Sequence, residues 1–131
     1  MVMIDQPIDK SSSIRYNPLG PSTQPRRRDV LHYVANDKDL FGDWVDGLKD
    51  RTGRAAIHKR IARVEEGNFG DHRYVGSGVW EIRIHFGPGY RVYYGEAGPK
   101  IVLLLCGGDK GTQMKDIRQA RELWAEYRRI K

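Results

Sequence analysis

Residues 79–95, VWEIRIHFGPGYRVYYG, decide how this chain folds. Side chains alternate along a β-strand, so Trp80, Ile82, Ile84 and Phe86 share one face while Glu81, Arg83 and His85 share the other. Beyond Gly87-Pro88-Gly89, which suits a turn, Tyr90, Val92 and Tyr94 alternate with Arg91 and Tyr93. The pattern predicts a β-hairpin with one apolar and one ionisable face. A three-residue loop over 87–89 would pair Phe86 with Tyr90, Ile84 with Val92 and Ile82 with Tyr94. On the polar side it would set His85 opposite Arg91 and Arg83 opposite Tyr93, with Glu81 one diagonal step away. That face is either the solvated side of a sheet or a site where two guanidiniums, an imidazole, a phenol and a carboxylate converge. An imidazole opposite a fixed cation gains nothing when protonated, so packing alone does not recommend the His85–Arg91 pair.

Outward from the hairpin, 72–75 reads as a strand leading through Gly76-Ser77-Gly78, and the continuously apolar 101–106 as a central strand covered on both faces, with helices packed on one side of a small sheet. Upstream, 30–34 suits a short strand, and 36–39 offers caps for a helix bearing Leu40, Phe41, Trp44, Val45 and Leu48. Thr52 is placed to cap a second helix, in which Ile57, Ile61 and Val64 recur at helical spacing before Gly67 ends it. Its outer face carries Arg54, Lys59, Arg60 and Arg63, either a solvated face or a binding surface. Thr112 can cap a last helix bearing Ile117, Ala120, Leu123, Trp124 and Tyr127. The resulting order, β-α-α-β-β-β-β-α, is an α+β fold with a helical hairpin before the main strands and a C-terminal helix.

The 131 residues, 39% of them hydrophobic, suffice for one domain with a modest core. Residues 1–28 contain four prolines, a serine triplet and Arg26-Arg27-Arg28 without sustained periodicity, and read as a mobile tail preceding a domain over 29–131. The net charge of +6 is unevenly spread: residues 1–50 hold 7 Lys/Arg against 8 Asp/Glu, and residues 51–131 hold 16 against 9. An excess concentrated in the globular part suits a polyanion or an acidic protein partner. No leader-like segment or membrane-length apolar run is present, so the expected setting is the cytosol. The lone Cys106 ends an apolar run and reads as a buried hydrophobe.

Other motifs carry less. Gly107-Gly108-Asp109-Lys110-Gly111-Thr112 leaves a strand toward a helix but lacks P-loop spacing, so it is a glycine-rich turn presenting Lys110 at the sheet rim, with Gln113 just beyond. His32, His58, His72 and His85 have no metal-ligand spacing, and neither a metal nor another cofactor is expected. No serine lies in a nucleophile elbow.

Four segments in series, FGDWVDGLKD, RAAIHKRIARVEEGNFGD, VWEIRIHFGPGYRVYY and IVLLLCGGDKGTQMKDIRQA, resemble the RelE/ParE toxin superfamily, in particular the phage Gp49-like and HigB-like addiction-module killer proteins. The likeness spans about residues 30 to 125; GYRVYY and LLCGGDKGTQ carry most of it. It implies a small, mainly antiparallel sheet with two N-terminal helices packed on it. It also implies a toxin neutralised by a cognate antitoxin, expected to be of helix-turn-helix type, and cleavage of mRNA on the ribosome without membrane or small-molecule cofactor. Matched motif by motif, the family's basic site residues fall on Arg91, Arg83 and Lys110. The chain departs at Glu81, where RelE has lysine, and at His85.

RNA cleavage by 2′-OH attack needs a base, a clamp for the phosphate charge and a proton for the leaving oxygen. The implied division gives the phosphate to Arg91 and Lys110, the developing charge to Arg83, and base work to Glu81 or His85, with the other or Tyr93 assisting. RNA contacts extend to Arg54, Lys59, Arg60, Arg63 and Gln113. Two other readings stand beside this one: a ParE-like inhibitor of DNA gyrase, and a module that binds RNA or antitoxin without turnover.

Overall fold

The computed structural model describes residues 27–130. It is a mixed α+β fold around one five-stranded sheet of order β1-β7-β6-β5-β4, from strands β1 (Asp29–His32), β4 (His72–Gly76), β5 (Val79–Ile84), β6 (Tyr90–Gly98) and β7 (Ile101–Asp109). β1 runs parallel to β7 and the other neighbours are antiparallel. A two-stranded ribbon, β2 (Val34–Ala35) with β3 (Lys38–Asp39), precedes α1 (Leu40–Asp46) and α2 (Arg51–Glu65), and α3 (Gln113–Ile130) follows β7 through a 3-10 turn, Lys110–Thr112.

Helices cover both faces of the sheet, where one covered side was expected. α1 and α2 bury Phe41, Val45, Ile57 and Val64 against Ile82, Ile84, Tyr90, Val92, Tyr94, Val102 and Leu104. α3 buries Ala120 and Trp124 on the opposite side against Val79, Tyr93, Leu103, Leu105 and Cys106. The unbroken apolar run of β7 is therefore divided between two cores, as a strand covered twice requires.

Local chemistry sets the helix starts. Asp39 caps α1 by accepting from the Gly42 N–H at 2.9 Å. Asp50, and not the expected Thr52, caps α2 through the Gly53 N–H at 2.8 Å, because the helix begins at Arg51 and Thr52 already lies in its first turn. Thr112 occupies the 3-10 turn, whose cap is Asp109, and donates its hydroxyl to Asp116. Arg28, read as tail, belongs to the fold: its N–H donates to the Glu65 carbonyl at 2.8 Å and its guanidinium donates to the Pro99 carbonyl at 2.8 Å. The remainder of the expected tail, residues 1–26, lies outside the described residues.

The β5–β6 register differs from expectation by two residues. Ile84 faces Tyr90, Arg83 faces Arg91, Ile82 faces Val92, Glu81 faces Tyr93 and Trp80 faces Tyr94. The cause is the turn, which is closed by the Gly89 N–H on the Phe86 carbonyl at 3.0 Å, with Gly87 at φ 56°. Phe86 thus becomes a corner of the turn and cannot pair with Tyr90, and His85 leaves the ladder with it. A slip of two keeps every side chain on its face while changing every partner.

Candidate functional site: a cationic cleft on a buried carboxylate

On the α3 side of the hairpin, Glu81 has no solvent exposure. Burial alone raises the pKa of such a carboxyl. Here hydrogen bonds from the Gln113 amide, the Tyr93 hydroxyl and the Arg73 guanidinium outweigh it, and the carboxyl lies below its ordinary value. Tyr93 and Gln113 donate to Oε2, both at 2.9 Å, and Arg73 and Arg83 donate through Nε to Oε1 at 3.1 and 3.3 Å. Arg91 Nε lies 3.5 Å from Oε2. One ionised carboxylate thus meets three guanidiniums, and it relieves the repulsion of Arg83 and Arg91, which oppose each other directly.

These contacts decide the fate of several expected site residues. Glu81 is not available as a base, being buried, ionised and surrounded by donors. Tyr93 is fully buried, and burial followed by the Glu81 charge pushes its phenol far up, so it holds Glu81 and does not face a substrate. Gln113, expected to touch RNA, spends its amide on Glu81. Arg60 donates to the carbonyls of Arg83, Phe69 and Asp71 at 2.6, 2.8 and 3.1 Å, fastening α2 across the β4–β5 end, and Arg54 donates to the Leu48 carbonyl at 2.5 Å. Lys59 and Arg63 remain exposed on α2, outside the cleft described next.

Above the carboxylate a cleft of about 370 Å³ is lined by Arg83, His85, Phe86, Pro88, Arg91 and Lys110, among others. It brings together four expected site residues, from β5, the hairpin turn, β6 and the 3-10 turn that follows β7. The Arg91 side chain is only 11% exposed, donates through Nη1 to the Gly89 carbonyl at 3.0 Å, and leaves its buried Nε without a hydrogen-bond partner. Arg83 is 30% exposed at its side chain, and Lys110 is exposed. His85 is open to solvent, with Nε2 2.5 Å from Asp71 Oδ2. That bond, before any other cause, holds the Asp71 carboxyl below its ordinary value, so Asp71 orients the ring as a carboxylate through Nε2, and Nδ1 is not part of that bond. The arrangement can bind an oxyanion through three cations and exchange one proton through one imidazole.

The glycine run does different work from the turn it resembles in sequence. Gly107 and Gly108 continue β7, pairing with Val92 and Arg91. A Cβ at Gly107 would strike the Trp44 ring, and one at Gly108 would strike the Asp116 carboxylate. The run therefore lets α1 and α3 approach the sheet behind Arg91. Asp116 is itself buried, and burial raises its pKa against the bond from Thr112. Cys106 is likewise buried, its thiol pushed up to about 12 by burial.

Asp71 and Arg73 escaped the sequence reading. Arg73 occupies the strand position opposite Glu81, a pairing visible only once β4 is placed beside β5. Among the described residues no cluster of three or more His, Cys, Asp or Glu is arranged to hold a metal ion, and no helix is long and apolar enough to cross a membrane.

An uncharacterized protein of Haemophilus influenzae is 49% identical over 86 residues, which cover 66% of this chain and 87% of that protein. The two chains belong to one family. No model of a known protein family matches the chain.

Proposed function

We propose that this protein is a toxin of the RelE/ParE superfamily, HigB-like in kind, which cuts messenger RNA positioned on the ribosome and is silenced by a small antitoxin of helix-turn-helix type. The observation that carries the reading is the convergence of Arg83, Arg91 and Lys110 on one cleft beside the His85–Asp71 pair. The mixed α+β fold, a five-stranded and mainly antiparallel sheet with α1 and α2 on one face, supports the reading.

In the proposed reaction His85 Nδ1 takes the proton of a ribose 2′-OH. The 2′-oxygen bonds to phosphorus as the P–O5′ bond breaks, giving a 2′,3′-cyclic phosphate and a 5′-hydroxyl. Arg83 and Arg91, held in place by Glu81, carry the charge that builds on the phosphoryl oxygens. Lys110, exposed and lining the same cleft, neutralises the leaving 5′-oxygen, which takes a proton from solvent. The ribosome supplies the alignment of an otherwise open cleft.

The burial of Glu81 and Tyr93 favours a second reading, in which the cleft grips RNA or antitoxin without turnover, because it leaves His85 as the cleft's single proton-exchanging group. A ParE-like gyrase inhibitor needs no acid or base at all. Regulated expression with mapping of RNA ends separates the three. New ends within translated messages support the nuclease. Growth arrest with intact messages overturns it, and inhibited supercoiling by the purified protein then identifies the gyrase reading.

A further inference from the structure

The corner of the sheet next to the cleft is aromatic on the face opposite Glu81. His72 and Tyr74 on β4 flank Trp80 on β5, with ring centroids 5.3 and 5.2 Å from it, and Phe69 extends the row 5.4 Å beyond His72. α1 and α2 cover Ile82 and Ile84 on this face but leave the corner open: Tyr74 is 54% exposed, His72 is exposed and Trp80 is half-buried. β4 is an edge strand, and among the described residues no further strand pairs with it.

We propose that His72, Tyr74 and Trp80 form a stacking platform for the bases of single-stranded RNA whose phosphate lies in the neighbouring cleft. The proposal rests on the RNA reading of that cleft. Three observations favour RNA as the occupant. The first is composition: the side chains at the corner are rings, and stacked bases match rings without regard to sequence. The second is charge. The carboxylates at this end of the sheet are already engaged, Glu81 by three guanidiniums and Asp71 by His85, while Arg73 beside them keeps 49% of its side chain exposed. An approaching polyanion therefore meets cations. The third is continuity: His85 at the cleft rim bonds Asp71, the residue preceding His72, so the rim runs directly into the platform. Trp80 stands three residues from Arg83 along β5, about 10 Å at strand rise and on the opposite face, so an RNA strand reaching both turns around the open β4 edge of the sheet.

The test is binding of a fluorescein-labelled strand about ten nucleotides long, within the usual span of single-strand sites, with 2′-O-methyl sugars that bar cleavage. Tyr74→Ala and His72→Ala should each weaken binding about fivefold or more, whereas Tyr74→Phe, which keeps the ring, should bind as wild type. The salt dependence should stay unchanged in the ring variants and flatten in Arg91→Ala, because only the latter removes a phosphate contact. Circular dichroism and thermal melts confirm that each variant is folded. Equal affinity of folded Tyr74→Ala and wild type overturns the platform and leaves the cleft standing. Equal binding of a duplex of the same sequence also overturns it, since paired bases cannot stack on protein rings. No strand binding by wild type, with RNA cut in cells, overturns the platform alone; neither binding nor cutting overturns the cleft reading with it. Loss of antitoxin binding in Tyr74→Ala, with RNA affinity intact, assigns the corner to a protein instead.

Discussion

The two faces of the β5–β6 hairpin use the same strands and the same alternation to opposite ends. Toward α1 and α2, Ile82, Ile84 and Val92 are held by apolar burial, a non-directional force that tolerates exchange of similar shapes. Toward α3, Glu81 is held by directed bonds from four side chains, and its surroundings fix the guanidiniums that line the cleft. The first face stabilises the sheet; the second stabilises it only while every partner is present. Charge buried beneath a site is thus a means of aiming cations, at the cost of intolerance to change.

The largest effect should come from breaking the second face. Glu81→Ala leaves Arg91 and Arg83 facing each other without a counter-ion and should destabilise the fold by about 3–5 kcal/mol, the usual cost of orphaning one side of a buried pair. Ile82→Ala across the sheet should cost about 2–5 kcal/mol through its cavity. The faces separate under gentler change. Ile82→Val should cost about 1 kcal/mol, whereas the similarly conservative Glu81→Gln should cost distinctly more. Urea denaturation of the four variants measures all of this, and equal losses for Ile82→Val and Glu81→Gln would erase the distinction.

Next in size is activity. If the cleft cuts RNA as proposed, Arg91→Ala should lose at least about 2 kcal/mol of transition-state stabilisation, roughly a thirtyfold slower appearance of RNA ends. The measurement is made on protein shown to be folded. Undiminished cutting would remove Arg91 from the clamp and leave its burial as its whole purpose.

The comparison also measures how much could be read from sequence. Alternation assigned every residue from Trp80 to Ile84 and from Tyr90 to Tyr94 to its face, because side-chain period survives a register slip of two. The same slip defeated the pairings. Where the turn closes depends on Gly87 and Pro88 taking specific torsions, and moving it from 87–89 to Phe86–Gly89 exchanged the partners of Arg83 and Glu81. Cationic identity was legible: Arg83, Arg91 and Lys110 do meet in one cleft. Burial was not, since α3 was expected to pack on the same side as the other helices. Hence Glu81 and Tyr93 read as reactive when they are the support, and Arg60 read as a surface cation when it staples three carbonyls. Those roles come from contacts between segments far apart in the chain, which periodicity cannot register.

Smaller in effect is the loss of one donor. Tyr93→Phe keeps the ring in the core and removes one bond to Glu81 Oε2, at a cost of about 1–2 kcal/mol. Its acid sensitivity should change with it. Glu81 has a folded pKa below its unfolded value near 4.5, so its stabilisation is complete above that value and is lost as pH falls toward the folded pKa. Asp116, with a folded pKa raised above 3.8, acts with the opposite sign: its charged form disfavours the fold at neutral pH, and that penalty is relieved as pH falls through the raised pKa. Glu81→Gln should therefore flatten the acid loss of stability, and Asp116→Asn should steepen it. Urea midpoints measured between pH 3 and 7, about the span both groups titrate over, read both slopes; slopes that move together would mean the acid response arises elsewhere.

The smallest effects are expected on α2, where Lys59 and Arg63 are exposed and, among the described residues, form no ion pair that would aim them. Exposed side chains of this kind contribute within about 0.5 kcal/mol to stability. Their value to RNA would have to come from diffuse attraction, whose loss appears as a shallower salt dependence, with weaker binding at low salt and none of the difference left at high salt. Lys59→Ala with Arg63→Ala should leave both the RNA-end pattern and its rate at physiological salt unchanged. Lys110→Ala, which removes one exposed cation inside the cleft, should slow cutting in the same assay. If the α2 pair instead proved as costly as Lys110, position over the Glu81 network would not be what makes a cation functional here, and RNA would have to cross the helical face of the molecule as well as its polar one.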